Sequence, residues 1–232
     1  MATESTPTAP DTSSALARTR IRVLLVDDHP AVRVGARKLI DDQPDLAVVA
    51  EARSAQEALR RPEVSIHVAV VDYHLGDGRD GLWLTEQLER REQPPRVLVY
   101  SAFADHTLAM LALIAGADGL LDKRELGQEL CAVIRRLVRG QRHLPAIPAP
   151  LTAALRSRLE PHDQAIFDML VHGIPPEMIM QRLGITHSEL NARRSTILGS
   201  LNPGRRAVRP RPVARGPLDY ERPRRVSRPR AA

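Results

Sequence analysis

One cysteine, two lysines and six aromatic residues are all that the 232-residue chain holds of these types. Each scarcity excludes something. Cys131 alone can form neither an internal disulfide nor a cysteine-based metal site, and a cytoplasmic setting is the simplest expectation. With aromatics at 3%, any core must be built from aliphatic side chains. No apolar run approaches the length that crosses a bilayer, so no membrane partner is expected. Residues 1–20, rich in Ser, Thr, Ala and Pro, lack the apolar stretch of a signal peptide and are expected to be disordered. Lys38 and Lys123 are the only lysines, so positive charge is carried almost wholly by arginine.

What is present suits a globular protein. Apolar content is 43% and charged content 27%, and the length allows one or two domains with their own cores. A net charge of +6 and a pI near 10.3 raise nucleic acid as a partner. The charge is unevenly spread. Residues 202–232 hold ten arginines against Asp219 and Glu221, an excess of eight that exceeds the whole chain's +6. The remainder is therefore close to neutral or slightly acidic. This Arg- and Pro-rich tail has almost no core formers and is expected to be disordered. On its own it should bind any polyanion in a salt-sensitive way.

Between these ends the hydrophobic pattern alternates. Short apolar runs at 22–26, 46–52, 66–72, 96–102 and 119–121 read as buried strands. Helical spacing follows each of them, at 30–42, 54–60, 81–91, 104–117 and 125–140. Pro30 fits a first helical turn, Ser54 and Glu57 have the spacing of a capping box, and Gly116 and Gly140 close their helices. Five strands each followed by a helix predict a doubly wound parallel sheet over residues 21–140. Residues 141–151, with three prolines, read as a linker. From 152 to 201 the periodicity is helical throughout, which predicts an all-α unit.

The stretch "IRVLLVDDHPAVR" poses a chemical question. An apolar strand ends in two adjacent carboxylates, Asp27 and Asp28, which repel unless a cation joins them or one stays protonated. In an open parallel sheet, groups at the carboxyl ends of the strands gather at one edge. Asp27 and Asp28 end the first strand, Asp72 the third and Ser101 the fourth, and Lys123 follows the fifth. Three carboxylates there suit a hard dication such as Mg²⁺. His29, His67 and His74 lie nearby, but two of them flank hard-cation ligands and one lies inside a strand, which argues against a transition-metal site.

These residues carry a resemblance. "VDDH" at 26–29, "VVD" at 70–72, "YSA" at 100–102 and "GADGLLDK" at 116–123 make residues 21–140 resemble the receiver domain of two-component response regulators, a flavodoxin-like α/β fold. The resemblance implies that Asp72 is the phosphoacceptor, attacking a phosphohistidine or a small phosphodonor. It implies that Asp28, Asp72 and the backbone carbonyl of His74 ligate Mg²⁺, with Asp27 acting mainly through a bound water. Lys123 would pair with a phosphoryl oxygen, and Ser101 would turn inward to bond it. The chain departs from the family in two places. The loop "YHLGDGRDG" after Asp72 lacks the usual Met-Pro-Gly turn and is apparently one residue longer, and Leu120 stands where an aromatic switch residue is common. The second departure predicts modest coupling between phosphorylation and output.

In the C-terminal unit, helices are expected at about 163–171, at 176–183 and from near Ser188 to Ser200, with a tight turn at 184–186 and a cap from Thr186 or Ser188. This is the grammar of a helix-turn-helix. The third helix offers His187, Asn191, Arg193 and Arg194 to a DNA groove, where Arg can read guanine and Asn adenine. Phe167, Leu170, Gly173, Ile179, Leu183, Ile185 and Leu190 resemble the apolar and glycine positions of LuxR-type output domains, while the polar positions match poorly. The chain is thus identified as a response regulator of the NarL/FixJ type. That implies a signalling protein rather than an enzyme, with a sensor histidine kinase as phosphodonor, DNA as target and a homodimer as the active form. A receiver-bearing adaptor whose helical unit binds protein is the alternative. A hydrolase of phosphate esters is weaker, because the second carboxylate such an enzyme needs two residues after Asp72 is here His74.

Overall fold

The computed structural model describes residues 20–60, 65–76, 78–125 and 127–202. The expected N-terminal disordered segment (1–20), apart from its last residue, and the Arg-rich tail beyond 202 lie outside the described residues.

Five strands form one parallel sheet: β1 (Ile21–Val26), β2 (Leu46–Ala52), β3 (Val68–Asp72), β4 (Arg96–Ser101) and β5 (Gly119–Asp122), in the order β2-β1-β3-β4-β5. The inner strands are apolar on both faces because helices cover both, and successive side chains alternate between them. Val23 and Leu25 of β1 and Val68 and Val70 of β3 face one cluster, with α1 (Pro30–Asp41) and α5 (Gly127–Val138). Leu24, Val26, Ala69 and Val71 face the other side, with α2 (Ala55–Arg60) and α3 (Gly81–Leu88). Ser54 caps α2 as expected, accepting from Glu57 N, but the Glu57 carboxylate returns to Arg53 N instead of Ser54.

The helix α4 (His106–Ala115) differs from the other sheet-covering helices. Every residue from Leu108 to Ala115 except Leu113 is buried, so neither side of the helix faces water. One side lies on the sheet, and the other lies on the C-terminal helices α7 (Pro161–Val171) and α9 (His187–Leu201). A single apolar cluster therefore runs from Val99 and Leu120 through α4 to Phe167, Leu170, Leu190, Ile197, Leu198 and Leu201.

The stretch expected as a linker is partly structured. His143 pairs with the open edge of β5, donating to Asp118 O at 2.9 Å and accepting from Leu120 N at 2.8 Å. Helix α6 (Ala149–Arg156) begins inside that stretch, at Ala149. Proline at the start of a helix costs no hydrogen bond, so Pro148 and Pro150 open α6 instead of excluding it. The helix α8 (Pro176–Leu183) ends at Gly184, whose φ of 64° is the left-handed conformation that glycine adopts without strain. Thr186 then caps α9 through a full capping box with Glu189, which settles the choice between Thr186 and Ser188.

Gly81 binds the fold to the sheet edge. Its N–H donates to Tyr73 O at 2.8 Å, and a Cβ there would lie 2.2 Å from the carbonyl oxygen of Asp72. Backbone cannot yield as a flexible side chain can. Gly81→Ala is expected to destabilise the protein by about 1–3 kcal/mol, the usual cost of forced overpacking. A lowered urea midpoint at unchanged slope checks this, and a midpoint equal to wild type would refute it.

Candidate functional site

The sheet order puts β1 beside β3, with the chain leaving in opposite directions on either side, so their carboxyl ends open a crevice. Asp27 and Asp72 line it and are almost wholly buried. Lys123 reaches in from the loop after β5. Its Nζ lies 2.7 Å from Asp27 Oδ2 and 2.8 Å from Asp72 Oδ2. Burial pushes the Asp72 carboxyl above the usual carboxylate range; Lys123 opposes that shift, and the charge of Asp27 adds to it. Burial disfavours the Lys123 ammonium as well, but its bonds to Asp27 and Asp72 outweigh this and raise its pKa. One cation thus holds two desolvated anions together.

The second oxygen of each carboxylate has other partners. Asp27 Oδ1 accepts from His29 N at 2.8 Å, and Asp72 Oδ1 from His74 N at a long 3.4 Å. Asp28 is left over. Its Oδ1 lies 2.7 Å from His29 Nδ1, but the alignment makes no hydrogen bond, and this buried oxygen has no donor among the described residues. Ligand atoms of Asp27, Asp28, His29 and Asp72 all fall within 4.8 Å of one another. An orphaned buried carboxylate oxygen beside two more carboxylates fits a hard dication. Ser101 is buried at the end of β4, where its Oγ accepts from Phe103 N at 3.2 Å.

Asp27, Asp28, Asp72, His74, Ser101 and Lys123 therefore do gather at one edge. His29, dismissed on sequence grounds as a transition-metal ligand, joins them through its ring; its place directly after Asp28 was the available signal.

The four residues expected to contact DNA are not kept together. His187 and Arg193 lie on the surface, Arg193 pairing with the buried Asp163 at 3.2 Å. Asn191 and Arg194 are only 9% and 4% exposed. Arg194 Nε donates to Ile114 O of α4 at 2.8 Å, and its guanidinium lies 3.5 Å from Glu89, just after α3. Burial raises the Glu89 pKa, and Arg194 opposes the shift. Asn191 Nδ2 lies 3.1 Å from His187 Nδ1. Ser195 Oγ donates to Glu86 Oε1 at 2.6 Å, a further bond to α3. In this arrangement Asn191 and Arg194 cannot reach a groove. The reason is geometric: they occupy the same helical stripe as Leu190, Ile197, Leu198 and Leu201. Each buried aliphatic side chain contributes about 2 kcal/mol, against about 1 kcal/mol net for a neutral hydrogen bond. The apolar stripe sets the strength of this contact, and the polar bonds fix its register.

Comparison with known proteins places the chain in a family. Residues 23–135 match the model of the response regulator receiver domain. The chain is 30% identical over 178 residues to the nitrate/nitrite response regulator protein NarL of Escherichia coli K12, covering 72% of this chain and 82% of that protein. This chain belongs to the NarL/FixJ-type response regulators. It is also 31% identical over 197 residues to the DNA-binding transcriptional activator DevR/DosR of Mycobacterium tuberculosis, covering 80% of this chain and 90% of that one. Among solved structures, a LuxR-family two-component response regulator from Aurantimonas sp. SI85-9A1 matches with 33% identity and a TM-score of 0.51, over 61% of this chain and 99% of its own. Among the described residues, no helix of this response regulator is long and apolar enough to cross a membrane.

If the crevice takes Mg²⁺, millimolar Mg²⁺ is expected to raise the thermal midpoint by a few degrees, because a ligand of the folded state alone stabilises it. Asp28→Asn should remove most of that increment while leaving the midpoint without metal unchanged or higher. Equal Mg²⁺ shifts in both proteins, read by calorimetry, would exclude Asp28 as a ligand.

Proposed function

We propose that Asp72 is the phosphoacceptor and that its phosphorylation releases α9 from the receiver to bind DNA. The observation that carries this reading is the placement of α9, which buries Asn191 and bonds Arg194 to α4 and Ser195 to α3.

A sensor histidine kinase is the expected donor. An Asp72 oxygen attacks the phosphorus of a phosphohistidine, the P–O bond forms, and the imidazole nitrogen departs with the P–N electron pair. Asp28, Asp72 and the carbonyl of His74 would hold Mg²⁺, with Asp27 acting through a bound water, and the ion would supply positive charge to the transferring oxygens. Lys123 already touches Asp72 and needs only to exchange Asp27 for a phosphoryl oxygen. Ser101 exchanges its contact with Phe103 N for one with the phosphoryl group. These exchanges alter the loops after β3 and β4, which lead into α3 and α4, the two helices that hold α9.

Control of this kind is a population shift: the phosphoryl group favours an open state in which the stripe of α9 is free. His187, Asn191, Arg193 and Arg194 are then the candidate groove contacts. A homodimer is the expected DNA-binding form, since one short helix contacts too few bases for useful specificity. The reading is that of a cytoplasmic regulator of transcription without catalytic turnover of its own. One relative is itself described as a DNA-binding transcriptional activator, which supports the DNA half of the proposal. The buried Asn191 and Arg194 argue for tighter gating than Leu120 alone predicts.

With Mg²⁺ and acetyl phosphate, intact mass should show one added phosphoryl group on the wild type and none on Asp72→Asn. Equal labelling of both would reject Asp72. A second variant addresses the gate. Glu86→Arg removes the acceptor of Ser195 and sets a new cation one helical turn from Glu89, the partner of Arg194. Unphosphorylated Glu86→Arg, truncated after Asn202, should bind a specific site about tenfold more tightly than the equally truncated wild type. No specific binding by either the variant or the phosphorylated wild type would move the reading to a protein-binding adaptor.

A further inference from the structure

One bond of the closed arrangement ends on the residue next to Asp72. Tyr73 directly follows Asp72, and Asn202 is the residue that ends α9. Asn202 Nδ2 donates to the Tyr73 hydroxyl at 2.9 Å, across 129 positions of sequence. The other polar contacts of α9 with the receiver described above end on Ile114, Glu86 and Glu89, in or beside the bodies of α4 and α3. Both ends of this bond are anchored. Tyr73 O accepts from Gly81 N at 2.8 Å, and Asn202 N donates to Leu198 O at 2.9 Å. The Tyr73 ring stands edge-on to His74 with centroids 4.5 Å apart, and His74 meets Phe103 at 6.4 Å. Phe103 N is the group that Ser101 Oγ now holds. Tyr73 therefore sits where the loop after β3 and the loop after β4 meet.

We propose that the Tyr73–Asn202 hydrogen bond is a latch that phosphorylation opens, with Tyr73 as its positioning residue. The inference rests on Asp72 being the phosphoacceptor. A phosphoryl group brings three acceptor oxygens and close to two negative charges. It competes for His74 N, which Asp72 holds only weakly at 3.4 Å, and as an acceptor of the Ser101 O–H it draws that side chain away from Phe103 N. Both changes displace the backbone that carries Tyr73. A hydrogen bond is lost over a shift of about 1 Å, whereas the apolar contacts of α9 are not. The latch thus converts a small movement beside Asp72 into release of the C-terminal end of α9. Linkage requires the reverse as well: a closed latch disfavours the phosphorylated state.

The test uses the full chain with a fluorescent donor and acceptor on Arg60→Cys and Gln181→Cys in a Cys131→Ser background. The ratio of open to closed molecules is measured with and without acetyl phosphate and Mg²⁺. Without phosphate, Tyr73→Phe and Asn202→Ala should each raise that ratio about fivefold, the scale of one neutral hydrogen bond. The double variant should add nothing further. In the phosphorylated state all four proteins should coincide, a pattern that a merely structural role for the tyrosine ring would not produce. Asn202→Ala lies outside the crevice, so it carries the comparison even if Tyr73→Phe is phosphorylated poorly. Additive effects, or equal effects with and without the phosphoryl group, would overturn the latch while leaving phosphorylation-dependent opening intact. A wild type that does not open on phosphorylation would remove the reading on which the latch rests, and the latch with it.

Discussion

Helix α4 carries no charged side chain from Thr107 to Ala115, and it has no face suited to water. A helix apolar all round must be covered all round. The sheet covers one side, and among the described residues the C-terminal helices cover the other. Phe167, Leu170, Ile197, Leu198 and Leu201 join Leu108, Leu111 and Ile114 in one cluster, so two units that differ in architecture share a core. From that constraint follows the placement of α9, and from α9 the burial of Asn191 and Arg194. The linker obeys the same closure, since His143 completes the edge of β5 before α6 begins.

The acidic crevice is a second, opposed constraint. Two carboxylates lie desolvated within reach of one ammonium, and a third keeps a buried oxygen unsatisfied. Burial pushes the Asp72 carboxyl up against the opposing pull of Lys123, and the bonds of that lysine to Asp27 and Asp72 outweigh its own burial. On the proposed reading, a cation or phosphoryl group enters this site by exchanging partners with Lys123 and Ser101, not by large rearrangement. Its neighbours are arranged to feel that exchange. Gly81 presses against the Asp72 carbonyl, Phe103 N is held by Ser101, and Tyr73 touches the end of α9.

The strands and their order of use were legible because parallel strands buried on both faces read as continuous apolar runs, and because Asp, Ser and Lys punctuate their ends. The crevice followed from topology, with the side chains of Asp27, Asp28, Asp72, Ser101 and Lys123 all at one edge. Helix α6 was hidden by its prolines, which mark a break when counted and a first turn when placed. His29 was hidden because ring direction is not a property of spacing. The burial of Asn191 and Arg194 was in principle readable. Both fall in the stripe of Leu190, Ile197 and Leu198, and α4 offered an unmatched apolar face, but the two observations lie some eighty residues apart.

Local pattern and composition by themselves determined the parallel sheet, the gathering of carboxylates and lysine, and the helix-turn-helix grammar of 176–201. These depend on periodicity, caps and strand ends, which act over a few residues. Which surface of α9 meets the receiver, and which polar groups are thereby withheld from a partner, was decided only in three dimensions. The energy of that contact comes from apolar area brought together across long sequence separation, and apolar burial has no direction of its own. Only the shape of the assembled core selects the pairing of α4 with α7 and α9, and with it the bond between Asn202 and Tyr73.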